Sequence, residues 1–362
     1  MYYQQLNRVR TIAVFMVIVF HWVPNSHSFI LPLGSWGVEM FFVLSGFLIT
    51  KILLESRRDA EINFVSKGVV IRNFILRRSL RIFPIYYLSL FAILFFDRAN
   101  VLGLKDNLLY FFGYASNFLY FNTQNFNYPM AHFWSLAVEE QFYLIWPWFI
   151  LFLPWRFVKL YLFISILFGI ASRVVLSKLF FTNEVTVEVL TPTCFDCFSI
   201  GGLFSYFVFI KNGEVNQLIK KINIAGIVSF LVMLIFLWTK FNRFSELHRT
   251  VDSIFFLAII ANAYKGYIGW VGKMANNKQM IFLGQISYGL YIYHLITPWL
   301  TKVFFAVALK LKYNLVFKIV DTYNNAALIP KFSIDLIVLI LVSTLSWHYV
   351  EKPINRYKHL FK

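Results

Sequence analysis

The chain has 362 residues, of which 59% are hydrophobic, 20% aromatic and only 14% charged. A water-soluble domain carries about a quarter charged residues, so this chain cannot cover itself with polar surface, and a soluble globular protein is excluded. The formal net charge of +17 comes from Lys and Arg set between apolar runs, not from one long tract, which favours the flanks of membrane spans over a nucleic-acid partner.

Apolar runs of about 20 residues cross hydrocarbon as helices. Ten such runs follow in chain order, at roughly 9–25, 36–54, 83–97, 136–153, 159–177, 197–210, 222–239, 251–268, 280–300 and 332–350. The expected fold is all-α, a polytopic membrane helix bundle of about ten transmembrane helices, with 1–362 forming a single membrane-embedded domain. No signal peptide is expected, because no small-residue cleavage site follows the first run and a second run begins almost at once. With the N-terminus inside and the spans alternating, 22 of the 34 Lys and Arg fall inside and 12 outside; Lys211, Lys273 and Lys362 are among the 22. That is the direction the positive-inside rule requires, and it places both termini in the cytoplasm.

The first run, "TIAVFMVIVFHWVPN" (11–25), carries the ionisable His21 near its far end. A histidine at membrane depth normally faces a bundle interior or a wet cavity, and a neutral imidazole is the form a general base needs. A ring bonded to a neighbouring backbone carbonyl is the plainer account, and the residue alone fits either. Arg10 lies about three turns earlier on the same face, roughly 16 Å away along the axis. A long anionic donor shaped like coenzyme A could be held at Arg10 and react near His21.

In "MFFVLSGFLI" (40–49), the pair Ser45–Gly46 permits close helix packing. "FILRRSLRIFPIYY" sets Arg77 and Arg78 one helical turn from Arg81. Arginine forks suit phosphate, although three arginines alone fit a cluster on lipid phosphates better. The stretch 110–134 mixes aromatics with Asn and Gln, as a glycan-binding surface does, but an interfacial aromatic belt is the stronger reading. "HFWSLAVEEQFYLIWPW" (132–148) places Glu139 and Glu140 at the head of a span. One of them could orient a histidine as the acid of a catalytic triad does, the plainer role being complementarity to the helix N-terminus. They point about 100° apart, so one of the two is expected to face a cavity. "CFDC" reads as buried or interfacial thiols at Cys194 and Cys197, with a disulfide left open. "QISYGLYIYHLITPW" carries His294 about as deep in its run as His21 is in the first, so the two could share a cavity; no spacing motif supports a metal there. In "SWHYVEKPINRYK", Pro353 is expected to stop the last helix.

Taken together, "LNRVRTIAVFMVIVFH", "GVEMFFVLSGFLI", "RRSLRIFPIYY", "HFWSLAVEEQFYLIWP", "ISYGLYIYH" and "HYVEKPINR" resemble the motifs of the bacterial acyltransferase-3 membrane family, in family order from about Leu6 to Arg356. The resemblance implies an enzyme of the bacterial inner membrane, an acyl-CoA-dependent O-acyltransferase. It would move an acyl group, most commonly acetyl from acetyl-CoA, to a hydroxyl of a cell-surface glycan such as lipopolysaccharide O-antigen. By motif, His21 matches the family histidine that would act as base, with Glu139 and Glu140 matching the double acid beside it. Arg10, Arg78 and Arg81 match the arginines that would hold donor phosphates. His294 matches the histidine after the Ser-Tyr motif and, with Trp134, is expected at the substrate. Two departures stand out: Asn7 and Arg8 replace a common Asp-Gly, and the chain ends soon after the last run, where many members continue into an extracytoplasmic hydrolase-like domain. A stand-alone form is therefore expected. The implied partners are acyl-CoA, a glycan or lipid-linked glycan acceptor and membrane lipids, with neither metal nor nucleic acid. The alternative is a transporter of the donor or glycan without transfer chemistry, which symmetric broken helices in two halves would favour; none is evident.

Overall fold

A computed structural model describes residues 4–23, 31–96, 104–126, 130–180, 187–210, 212–238, 246–267, 269, 277–301 and 328–361. The ends of the expected runs 9–25, 83–97, 222–239 and 251–268, and Lys211, Lys273 and Lys362, lie outside the described residues. Among the described residues the fold is all-α, as expected, without a strand. The long N-terminal helices are α1 (Gln4–Trp22), α2 (Leu33–Ile62) and α3 (Lys67–Phe96). Two short helices, α4 (Leu108–Phe112) and α5 (Ser116–Thr123), lead into α6 (Phe133–Phe152) and α7 (Trp155–Phe180). Then follow α8 (Phe195–Ile210), α9 (Val215–Trp238), α10 (His248–Lys265), α11 (Lys278–Gln285) and α12 (Ser287–Tyr293). The chain closes with α13 (Leu328–Ser346) and α14 (Lys352–Asn355).

Six described stretches are long and apolar enough to cross a membrane: Leu33–Ile62, Lys67–Phe96, Trp155–Leu179, Thr191–Ile210, Val215–Trp238 and Leu328–Leu360. The protein is a multi-pass membrane protein, but the expected count of ten is not reproduced. Helices α1, α6 and α10 occupy three more of the expected runs and carry Arg8 and Arg10, Glu139 and Glu140, and Arg249 and Asp252. The run 280–300 is not one continuous helix. It breaks at Ile286, whose φ of −89° and ψ of 7° end α11 and start α12. The break follows a tight contact with α1: a Cβ on Gly284 would lie 1.8 Å from the Asn7 carbonyl oxygen. Pro353 does not stop the last helix either. The chain passes through a π-helical turn, Trp347–Glu351, into α14, where Pro353 occupies the first turn and needs no amide donor.

The bundle has a packed centre and a greasy rim. At the centre α2 meets α8 backbone to backbone, since a Cβ on Gly46 would lie 2.0 Å from Phe198 O and one on Gly201 2.0 Å from Val43 O. Small residues allow this approach in a membrane, where close packing replaces the hydrophobic drive between helices. At the rim, α7 exposes Leu160, Ile164 and Leu167, α9 exposes Ile224, Val228, Leu231 and Ile235, and α13 exposes Ile337, Leu341 and Leu345. Rows at this helical spacing need lipid as their solvent. The aromatic stretch 110–126 turns inward. Tyr114 stacks on Tyr86 at 4.1 Å, and the hydroxyls of Tyr86 and Tyr87 donate to Phe111 O at 2.7 Å and Phe112 O at 3.0 Å, pinning α4 to α3. Residues 127–129 of that stretch lie outside the described residues. Cys194 and Cys197 are buried free thiols, not a disulfide.

Candidate active site

A cavity of about 780 Å³ opens between α1, α2, α3, α6 and α12, and part of it is open to the surroundings. Its polar lining includes Arg10 from α1, Ser45 from α2, Arg78 and Arg81 from α3, Ser135 and Glu139 from α6 and Tyr291 from α12. The expected arginine stretch thus sits within one 30-residue helix. Arg78 and Arg81, one turn apart, share the face that looks into the cavity. Arg77, about 100° round from Arg78, donates instead to the Asn73 carbonyl at 3.3 Å. The Arg78 guanidinium lies over the rings of Phe74 at 5.6 Å and Tyr143 at 5.9 Å. Among the described residues neither Arg78 nor Arg81 forms a salt bridge. Arg10 Nη1 donates to Asn7 Oδ1 at 2.8 Å. An aspartate at position 7 would neutralise that guanidinium; the asparagine accepts the same bond and leaves the charge in place.

The same helical step separates the two acids. Glu139 faces the cavity and accepts the hydroxyl of Ser45, while Glu140 is buried with its Oε1 unpartnered. Among the described residues the bonds that hold His21, His132 and His294 go to the Val17, Ile292 and Tyr291 carbonyls, and neither carboxylate takes part in them. Trp134 is not in the lining of this cavity; it packs edge-on against Phe42 at 6.2 Å.

The histidines gather behind the cavity wall. Ser135 and Tyr291 both line the cavity, and their hydroxyls share a hydrogen bond at 2.5 Å. The Tyr291 carbonyl accepts from His294 Nδ1 at 2.6 Å, and His294 Nε2 lies 3.4 Å from His21 Nδ1. The expected meeting of His21 and His294 is present. His21 is held by the Val17 carbonyl at 2.8 Å, the arrangement of the plainer account, and is exposed, whereas His294 is fully buried. Sequence reasoning missed His132, which stands just before α6 with its ring 4.6 Å from that of His294. The available signal was a third histidine at membrane depth, three residues ahead of Ser135. Among the described residues no group of His, Cys, Asp or Glu could hold a metal ion.

A second polar cluster joins α2, α7, α8 and α10. Arg173 makes a two-pronged contact with Asp196, at 2.9 and 2.7 Å, and also donates to Thr193 O and Glu246 O. Arg249 contacts Glu188 at 3.2 Å and Glu39 at 3.6 Å, and Trp36 Nε1 donates to Asp252 at 2.8 Å.

With this geometry in view, the sequence model of an acyltransferase domain matches residues 3–350. The chain belongs to the acyltransferase-3 family. It is 28% identical over 381 residues to the peptidoglycan O-acetyltransferase OatA of Listeria monocytogenes, covering 98% of this chain and 56% of that protein. A Staphylococcus aureus protein provisionally named an O-acetyltransferase, SACOL0978, is 26% identical over 98% of this chain and 58% of its own length. A Bacillus subtilis protein, YrhL, provisionally named a peptidoglycan O-acetyltransferase, is 27% identical over 98% and 55%. The chain therefore spans little more than half the length of these curated relatives. No solved structure matches it significantly.

Proposed function

We propose that this protein transfers an acyl group, acetyl in the first instance, from acyl-CoA to a hydroxyl of a cell-surface glycan. The observation that carries the reading is the convergence of Arg10, Arg78 and Arg81 on one cavity, with no salt bridge at Arg78 or Arg81 among the described residues. Guanidinium forks facing a cavity suit a phosphorylated donor. His21, about three turns from Arg10 on the same helix, is the general base. The acceptor O–H gives its proton to the imidazole, the oxygen bonds the thioester carbon, and the thiolate leaves and takes the proton back. The Ser135–Tyr291 pair stands between the donor cavity and the histidines, so the acyl arm must pass it. The excess of Lys and Arg in alternate loops supports cytoplasmic termini in a bacterial inner membrane, with the arginine end facing the acyl-CoA pool.

Relatives named for peptidoglycan make that polymer the first acceptor to test, ahead of lipopolysaccharide O-antigen. The test uses the full chain in liposomes with labelled acetyl-CoA and peptidoglycan or O-antigen on the far side. Label should reach the glycan with the parent protein and not with a folded His21→Ala variant. Bound acetyl-CoA without transfer to either glycan would replace this reading with the transporter, and equal transfer by both proteins would remove His21 as base.

A further inference from the structure

Three histidines from different parts of the chain meet at the end of α1, and their carbonyl partners fix where the hydrogens sit, because a carbonyl only accepts. His21 Nδ1 lies 2.8 Å from Val17 O, His294 Nδ1 lies 2.6 Å from Tyr291 O, and His132 Nε2 lies 3.0 Å from Ile292 O. Each of these nitrogens therefore carries hydrogen. In the neutral rings the lone pairs fall on His21 Nε2, His294 Nε2 and His132 Nδ1. The lone pair of His294 consequently lies 3.4 Å from His21 Nδ1, whose one hydrogen it shares with the nearer Val17 carbonyl at 2.8 Å. The two helices are tied at this point, since Trp22 Nε1 donates to the backbone carbonyl of His294 at 2.8 Å.

We propose that His294 is a positioning residue of the His21 base: with the Val17 carbonyl it shares the single His21 Nδ1–H, and it takes part of the positive charge that His21 acquires during transfer. This rests on the reading of His21 as the base. His294 then fills the place that a carboxylate fills in a Ser-His-Asp triad. In the resting pair the contact is long. When the acceptor proton arrives on His21 Nε2, the bond from Nδ1–H to His294 Nε2 becomes charge-assisted, and bonds of that kind are shorter and stronger than neutral ones. A neutral acceptor supplies this without a fixed anion at membrane depth, where an ionised side chain is expensive. The groups that face His294 are His21 from α1, His132 ahead of α6 and Tyr291 of α12, with ring centroids 5.0, 4.6 and 5.6 Å away. His132 closes the buried side: its Nδ1 is buried without a hydrogen-bond partner.

The experiment is nitrogen NMR of the full chain in lipid nanodiscs with labelled histidine, together with turnover on acetyl-CoA and peptidoglycan fragments. Both His21 and His294 should show hydrogen on Nδ1. As His21 gains its second proton on acidification, the His294 Nε2 signal should move in step with it. His294→Leu, which offers no acceptor, should lower kcat about a hundredfold, the low end of a general-base contribution, and leave KM for acetyl-CoA unchanged, because the donor is gripped at the arginine end. A His294 Nε2 signal indifferent to protonation of His21 would overturn the pairing, whatever the variant does. So would wild-type turnover in a folded His294→Leu protein. The NMR uses the parent protein and does not depend on transfer, so an absence of transfer in the parent would count against the acyltransferase reading alone.

Discussion

The protein holds two groups of buried or half-buried arginines, and they are treated in opposite ways. Arg173 and Arg249 lie among Asp196, Glu188 and Glu39, and backbone carbonyls take most of their remaining hydrogens. Arg78 and Arg81 look into a cavity, with aromatic rings under Arg78 and no salt bridge at either one among the described residues. Charge at membrane depth is expensive in both places. Where carboxylates match the charge, it ties helices together. Where no carboxylate comes within salt-bridge distance among the described residues, the guanidinium faces the cavity instead, with Glu139 in the same lining. The contrast is the physical basis of the donor-binding role proposed for Arg78 and Arg81.

The largest effect should come from breaking the saturated group. Asp196→Ala leaves Arg173 buried without its carboxylate and should destabilise the fold by about 3–5 kcal/mol, read as a lower melting temperature in detergent; an unchanged melting curve would erase the distinction drawn above. Gly201→Ala pushes a methyl to 2.0 Å from Val43 O and should cost about 1–3 kcal/mol by the same measurement. Arg78→Ala should leave melting nearly unchanged and raise the acetyl-CoA concentration for half-maximal transfer about ten- to a hundredfold, the worth of a charged hydrogen bond. Loss of stability with unchanged donor dependence would move Arg78 into the scaffold. The smallest effect is expected at Trp36→Phe, which removes one hydrogen bond to Asp252 and should cost about 1 kcal/mol.

Much of this was legible in the chain. Composition gave the membrane class, and the apolar runs located the long helices. Ser45–Gly46 marked a close contact that the structure places against Phe198 of α8. The spacing of Arg78 and Arg81 placed them on one face, and the depth of His21 and His294 suggested that they meet. Other parts were hidden because they depend on what stands opposite. Whether Glu139 or Glu140 faces the cavity is decided by Ser45, which lies 94 positions away in the chain. That Trp134 packs edge-on against Phe42 and does not line this cavity depends likewise on a helix far from it in sequence. The run 280–300 is apolar throughout, and its break at Ile286 arises where Gly284 meets the backbone of α1.

By itself the sequence determined that this is a helical membrane protein, where its longest helices run, and which helix faces carry its basic residues, because hydropathy and helical period act within one segment. Tertiary structure decided which charges are matched and which carry no salt bridge among the described residues, which acid enters the cavity, and that a third histidine, His132, stands behind His294. Those are properties of pairs brought together from distant segments, and a buried polar group has no role until its partner is in place.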